Sequence, residues 1–360
     1  MEYLNRLLLK GNEAVVYGAL LAGCDAFYGY PITPASEVAH SSAALFPKLN
    51  RTFLQAESEI SAINMVIGAS AAGKRVMTGS SGLGISLKQE AVSYLAAFEL
   101  PAVIVDIMRG GPGLGNISPE QSDYFQVVKG GGHGAYRCLV FTPESVQEMC
   151  DAGYHAFSLC EKYRMPGYIL ADGVIGQMME SVTLPEPTTY VYDPEWKITN
   201  KTNGEANYLT TIYLENDDLE RRNHLLQEKY RTVQENEQSA EEFFTEDAEL
   251  VLVAYGISAR IARTAVSRLR QQGWKVGMLR PKMVFPFPER ALKKIARSGK
   301  TRAFLCIELS PGQMIEDVKL AINCELPVHL AYRLGGNIPS IAEISEKAVA
   351  IINAKGGDRA

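Results

Sequence analysis

Short apolar runs alternate with stretches of helical period along this 360-residue chain. Asp25 to Tyr28, Thr52 to Gln55, Arg75 to Thr78, Ala102 to Met108, Arg137 to Phe141 and Gly167 to Ala171 read as strands. Helices fall between them. Asn12 to Ala22 ends at Gly23, a good residue just past a helix end. Glu57 to Ala72 carries Ile60, Ile63, Ile67 and Ala71 on one side. Ser80-Ser81-Gly82-Leu83-Gly84 turns into a helix reaching Phe98. Ser118-Pro119-Glu120-Gln121 has the form of a capping box with proline at the first helical position. Thr142-Pro143-Glu144 precedes a helix to Tyr163, with Val146, Met149, Gly153, Ala156 and Cys160 on one face. This alternation predicts a parallel sheet with helices on both faces.

Three parts are expected. Residues 1–184 hold the alternation just described. Residues 185–247 read as a connector: 183–214 is rich in Pro, Thr and Tyr, and 215–247 is acidic, with Leu219, Leu226, Tyr230 and Val233 at the spacing of an exposed helix. Residues 248–360 form a second α/β unit. Its strands are Leu250 to Ala254, Trp274 to Leu279, Arg302 to Leu309 and Pro327 to Ala331. Its helices run from Gly256 towards Gly273, from Pro288 to Arg297, from Pro311 to Asn323 and from Pro339 to Asn353. The two units are not an obvious sequence repeat.

The net charge is -5, and eleven acids against four bases in 215–247 supply -7 of it, so the remainder carries -5 - (-7) = +2. The acidity is confined to one surface segment and gives no reason to expect a nucleic-acid partner. No apolar run nears the roughly 18 residues of a membrane span. Met1-Glu2-Tyr3-Leu4-Asn5-Arg6 lacks the apolar core of a signal peptide, so a cytoplasmic protein is expected. Cys24, Cys138, Cys150, Cys160, Cys306 and Cys324 form no Cys-x-x-Cys pair. They read as small buried hydrophobes, without disulfides, zinc or an iron–sulfur cluster on this chain.

Two loops concentrate the chemistry. Gly29-Tyr30-Pro31-Ile32-Thr33-Pro34 follows the short apolar run Asp25 to Tyr28, and its prolines make a stiff loop around Thr33. Arg109-Gly110-Gly111-Pro112-Gly113-Leu114-Gly115-Asn116 follows the run Ala102 to Met108. Its glycines admit close backbone approach, and Arg109 offers a rigid fork of donors. A fixed hydroxyl and an arginine at strand ends suggest a pocket for a small carboxylate. Alone, either residue also suits a bland role, Thr33 as a turn hydroxyl and Arg109 in a structural ion pair.

These loops, with Gln55-Ala56-Glu57-Ser58-Glu59 and Gly131-Gly132-His133-Gly134, resemble the α-type subunit of the 2-oxoacid:ferredoxin oxidoreductases. Order and spacing fit from about Lys10 to Glu180, and the remainder fits in kind. Gly113-Leu114-Gly115-Asn116 and Lys129-Gly130-Gly131-Gly132-His133-Gly134 look most like the branched-chain, 2-oxoisovalerate type. The resemblance implies a pyrimidine-binding parallel-sheet domain of the thiamine diphosphate kind. It also implies that the last third is a domain like the C-terminal one of transketolase.

The resemblance further implies thiamine diphosphate as cofactor, shared with a β subunit that carries the diphosphate and Mg motif and an iron–sulfur cluster. No Gly-Asp-Gly…Asn motif occurs in this chain. Glu59 matches the glutamate that bonds the pyrimidine and works as acid and base through it. Burial in an apolar interface favours the protonated form of such a carboxyl. Without the resemblance, Glu57 and Glu59 merely suit a helix N-terminus. Thr33 and Arg109 match the holders of the substrate carboxylate, and Ser81 and Gly82 approach the cofactor ring. His133 is as well read as a packed or surface histidine as a catalytic one. The expected reaction is oxidative decarboxylation of a 2-oxoacid to an acyl-CoA. Electrons would pass through γ and ferredoxin-like δ subunits or domains to ferredoxin. The other readings are a 2-oxoglutarate-type member and a non-catalytic, interface-forming subunit.

Overall fold

A computed structural model describes residues 6–202 and 204–354. Met1 to Asn5, most of the segment weighed as a signal peptide, lies outside the described residues. The described residues open on strand β1 (Arg6–Lys10) and helix α1 (Gly11–Leu21). It continues through β2 (Ala26–Gly29), α2 (Ser36–Leu45), β3 (Thr52–Gln55), α3 (Glu59–Ala71), β4 (Val76–Ser80), α4 (Leu83–Phe98) and β5 (Val103–Met108). A long loop leads to β6 (Leu139–Phe141), α5 (Val146–Tyr163), β7 (Gly167–Asp172), the short α6 (Gly173–Gln177) and β8 (Met179–Thr183).

β3, β2, β4, β5, β7 and β6 lie side by side in that order and are all parallel. Every residue of β4, β5 and β7 is buried, as a strand covered on both faces requires. α1, α2 and α5 pack together, and α3 packs on α4. A side chain at Gly79 would touch Val38 of α2, so position 79 faces α2. Its neighbours Thr78 and Ser80 therefore point to the opposite face, that of α3 and α4. β1 and β8 pair with each other in a separate antiparallel ribbon.

The remaining elements are the small ribbon β9 (Lys201–Thr202) and β10 (Glu205–Ala206), α7 (Asn216–Asn236), β11 (Ala240–Phe243), β12 (Leu250–Val253) and α8 (Gly256–Gln271). Then come β13 (Val276–Pro281), β14 (Met283–Phe285), α9 (Glu289–Ala296), β15 (Ala303–Glu308), α10 (Met314–Ala321), β16 (Val328–Tyr332) and α11 (Ile341–Asn353). A second sheet has the order β11-β13-β12-β15-β16, parallel except for β11.

Two strands cross the divisions expected from sequence. β11 falls in the stretch read as connector yet pairs with β13. β14 falls in the last third yet adds an antiparallel edge to the first sheet, beside β6. The clamp between the parts is Arg280 of β13, 1% exposed. Its Nη1 and Nη2 donate to Glu148 of α5 at 2.8 and 2.7 Å, and its Nε donates to Glu241 of β11 at 3.2 Å. This planar fork matches the carboxylate of Glu148 bidentately.

α7 is exposed on one side only. Leu226, Tyr230 and Val233 are buried, while Leu219 is exposed. Two of the segment's four bases face the body of the protein, since Arg222 and Lys229 both donate to Glu99, just past the end of α4. The first half of the connector is also held down. Arg75 lies under the rings of Tyr190 and Tyr192, and Arg164 under Trp196.

Ser118-Pro119-Glu120-Gln121 forms no helix, contrary to the capping-box reading. Pro119 bridges Arg109. Glu120 accepts from the backbone N–H groups of Gly111 and Gly335 rather than from a local cap. Gln121 is fully buried, donating Nε2 to the carbonyl of Tyr255 at 3.0 Å and accepting from the N–H of Leu309 at 2.9 Å. Partners distant in sequence use the polar groups that a capping box would have spent locally. The chain coils only after Asp123, in a wide turn over Gln126–Gly130. No helix among the described residues is long and apolar enough to cross a membrane.

Candidate active site

The order of the first sheet reverses at β2: β3 lies on one side of it and β4 on the other. Ligands of open α/β sheets bind in the crevice at the carboxyl ends of strands where the order reverses. The loops after β2, β4 and β5 meet there, and they carry Thr33, Ser81-Gly82 and Arg109.

Arg109 joins two of these loops. Its Nη1 donates to the carbonyl of Thr33 at 2.9 Å and its Nη2 to the carbonyl of Leu114 at 3.3 Å. A guanidinium has five N–H groups, so three are left over for another acceptor. Gly82 has φ 50°, a left-handed conformation that glycine adopts without strain. A side chain there would lie 3.4 Å from Arg109 Nε. Gly82 and Arg109 line a cavity of about 660 Å³ together with Gly111, Glu120, Asp123 and Gln313. Gln313 comes from the second unit, so both parts of the chain wall this cavity. Thr33 is exposed, its hydroxyl 3.5 Å from that of Ser36, and it meets Arg109 through its backbone.

Glu59 stands on the other side of the Ser80–Gly84 turn. It is the first residue of α3, after Ser58, whose hydroxyl accepts from the N–H of Ser61 at 3.2 Å. Glu59 is 7% exposed, whereas Glu57 is exposed and bonds the Ser61 hydroxyl. Glu57 precedes the helix by two positions, before the extended cap residue Ser58, so its carboxyl stays outside while that of Glu59 turns inward at the helix start. Gly84 gives Glu59 its room: a side chain at 84 would collide with Ser80 Oγ and lie 2.7 Å from Glu59 Oε1.

His133 is exposed on the glycine loop that follows the wide turn. The neighbouring Gly132 donates its N–H to Tyr136 at 3.0 Å, and both Gly131 and Gly132 pack against Gln89. This packing accounts for Gly131 and Gly132, whereas Gly134 has open space around it and a positive φ of 91°.

Three polar residues of the site, Ser80, Lys88 and Asp106, escaped the sequence reading, and they lie beside Ser81, which did not. The hydroxyls of Ser80 and Ser81 and the Nζ of Lys88 are buried with no hydrogen-bond partner among the described residues. So are both carboxyl oxygens of Asp106, which sits in the middle of β5 beside Ser80 in the register. An acid inside the otherwise apolar run Val103–Met108 was the available signal. Burial pushes Asp106 well above the usual carboxylate range, and the nearby charge of Asp123 adds to this. Burial likewise pushes Asp123 up to about 6, opposed by the N–H of Gly82 that it accepts, raised further by Glu120 and lowered by Arg109. Asp123 thus ties the turn at Gly82 to the cavity wall.

The pair makes stability depend on pH. A carboxyl raised in the folded state keeps its proton after the unfolded chain has lost its own, so stability falls as pH rises from about 3.8 towards 6 for Asp123. Asp106→Asn removes one acid and the repulsion on the other. The slope of melting temperature against pH between about 4 and 7 should then flatten, with no loss of stability at pH 7.5. Thermal scans across that range check this, and an unchanged slope would remove the pair from the account.

Residues 17–247 match the family described as pyruvate flavodoxin/ferredoxin oxidoreductase, thiamine diphosphate-binding, and residues 248–344 match pyruvate:ferredoxin oxidoreductase core domain II. The ketoisovalerate oxidoreductase subunit VorB of Methanothermobacter marburgensis is 54% identical over 341 residues, covering 94% of this chain and 96% of that one. The 2-oxoglutarate synthase subunit KorA of Archaeoglobus fulgidus is 37% identical over 325 residues, covering 89% and 92%. The solved 2-oxoglutarate:ferredoxin oxidoreductase from Magnetococcus marinus, with 2-oxoglutarate, coenzyme A and succinyl-CoA bound, superposes with a TM-score of 0.87 at 26% identity. That alignment covers 98% of this chain and 66% of the solved one, so the chain spans about two thirds of its length. A parallel sheet with its loops at the switch point, and near full-length identity to such subunits, place this chain in the pyruvate flavodoxin/ferredoxin oxidoreductase family, among the 2-oxoacid:ferredoxin oxidoreductases.

Proposed function

We propose that this chain is the pyrimidine-side and substrate-side subunit of an enzyme that oxidatively decarboxylates a branched-chain 2-oxoacid to its acyl-CoA. Ferredoxin takes the electrons. The observation that carries the reading is the placing of Glu59 and Arg109 on either side of the Ser80–Gly84 turn, at the sheet's switch point. When bound, thiamine diphosphate supplies the carbanion chemistry, and the protein supplies position and electrostatics. The residues present suit it: Glu59 keeps a small exposed edge, and Ser81 has a buried hydroxyl still to be bonded. Glu59 accepts and returns a proton at its carboxyl. Ser81 and Gly82 form the wall that the ring approaches. Arg109, with Thr33, orients the carboxylate of the 2-oxoacid by charge-assisted bonds.

A second subunit completes the site. The α3 and α4 surface beside Glu59 exposes Ile60, Leu83, Leu87 and Tyr94, an apolar face of the kind that partner chains cover. In this reading that β subunit holds the diphosphate, Mg and an iron–sulfur cluster, and γ and δ subunits or domains pass electrons on in the cytoplasm. Residues 1–184, 185–247 and 248–360 serve as pyrimidine-binding domain, connector and C-terminal domain. The branched-chain substrate is taken from the 54% identical VorB, against 37% for KorA. Assays of acyl-CoA formation by the assembled complex should give the highest kcat/KM with 2-oxoisovalerate, and a preference for 2-oxoglutarate would overturn the substrate assignment. The isolated chain should be colourless and bind thiamine diphosphate poorly by calorimetry. A coloured chain, or micromolar affinity without partners, would refute the shared site.

A further inference from the structure

Lys88 has no role in the proposed reaction, yet it lies behind Glu59. It stands one turn after Gly84 on α4 and so shares that glycine's side of the helix. Its side chain is fully buried, and its Nζ has no hydrogen-bond partner among the described residues. A lysine is almost never fully buried without a partner, because an isolated ammonium loses its hydration there. Thr78 and Ser80 point to the same side from β4, and their hydroxyls are unpartnered too. Glu59 is the carboxyl whose charge acts on Lys88.

We propose that Lys88 is the counter-charge of Glu59, a positioning residue whose buried ammonium favours the ionised form of that carboxyl at the mouth of the site. This inference rests on the reading of Glu59 as the acid–base group. Burial lowers Lys88 and the charge of Glu59 opposes this, leaving it at about 8, so the ammonium persists at neutral pH. The other titratable groups around it are accounted for. Asp106 of β5 and Asp123 act on each other, and Glu57 bonds Ser61 on the outer side of α3.

The test uses the complete complex carrying Lys88→Met, which keeps most of the side-chain volume and removes the charge. Two readouts serve. The first is the pH dependence of thiazolium proton exchange. The second needs no turnover: the infrared carboxylate band that disappears in Glu59→Gln, titrated in the complex without cofactor. Loss of the cation should move both titrations up by at least about one pH unit. The stability difference should also follow Lys88. Because the folded-state pKa is depressed, the wild type should gain on the variant as pH rises from about 8 to 10.5. Lys88→Gln, which keeps a donor but no charge, should shift the band as Lys88→Met does, and it replaces that variant should Met fail to assemble. An unmoved Glu59 band in either variant overturns the counter-charge. Wild-type exchange in Glu59→Gln would instead overturn the reading of Glu59, and the two failures are distinct.

Discussion

Glu59→Gln should slow exchange of the thiazolium proton by about 100- to 10,000-fold while leaving the complex assembled. Glutamine has the size of glutamate and can still form hydrogen bonds, and the cap bond from Ser61 to Ser58 at the head of α3 is untouched. The pocket at Gly84 accepts it without new overlap, since the close approach is to Oε1 at 2.7 Å from a hypothetical side chain, not to an existing one. Glutamine cannot take up and return a proton, so the loss falls on acid–base work and not on packing. Glu57→Gln is the control. That carboxyl is exposed and bonded to Ser61, and surface changes of this kind move energies by about 0.5 kcal/mol or less, roughly a factor of two. Hydrogen–deuterium exchange at the cofactor's reactive carbon, followed by quenching and NMR, separates the two. If Glu57→Gln abolished exchange while Glu59→Gln left it intact, the assignment of the acid–base carboxyl would be wrong by two residues.

The strands that place the site were legible because each is an apolar run between breakers. Ala102 to Met108 was expected, and Val103–Met108 is observed, bounded by Pro101 before and Arg109 after. The loops carrying Thr33 and Arg109 were legible for the same reason, as glycine and proline clusters at strand ends. What was not legible depended on distant partners. The polar run 118–121 satisfied a local helix rule, but Gln121 bonds Tyr255 and Leu309 and Glu120 bonds Gly335. β14 is three residues long and owes its existence to the open edge of β6. Lys88 was unreadable in a subtler way, and Asp106 left only the signal of an acid inside an apolar run. Sequence shows that a charged residue is present, not that burial leaves it without a partner.

Arg109→Lys should lower kcat/KM for the 2-oxoacid by roughly 10- to 150-fold, the effect of losing about 1.5–3 kcal/mol of a charge-assisted contact. Charge is retained, so the deficit lies in geometry. The guanidinium binds the carbonyls of Thr33 and Leu114 in two directions and still has N–H groups for a substrate carboxylate. An ammonium on a flexible stem presents a point charge and cannot span both loops and the ligand in one plane. KM for CoA should change less, because CoA has no reason to use this carboxylate pocket. Thr33→Val should give a smaller loss of the same kind, since a neutral hydroxyl contributes less than a guanidinium. The Thr33 carbonyl that accepts from Arg109 survives that substitution, so the clamp between the loops is spared. The two effects should not add, because the residues are bonded at 2.9 Å and are proposed to hold one carboxylate. Steady-state kinetics of both single variants and the double variant measure the coupling. Unchanged 2-oxoacid kinetics in Arg109→Lys, with CoA kinetics impaired instead, would reassign Arg109 from the substrate carboxylate to the thioester-forming half of the reaction.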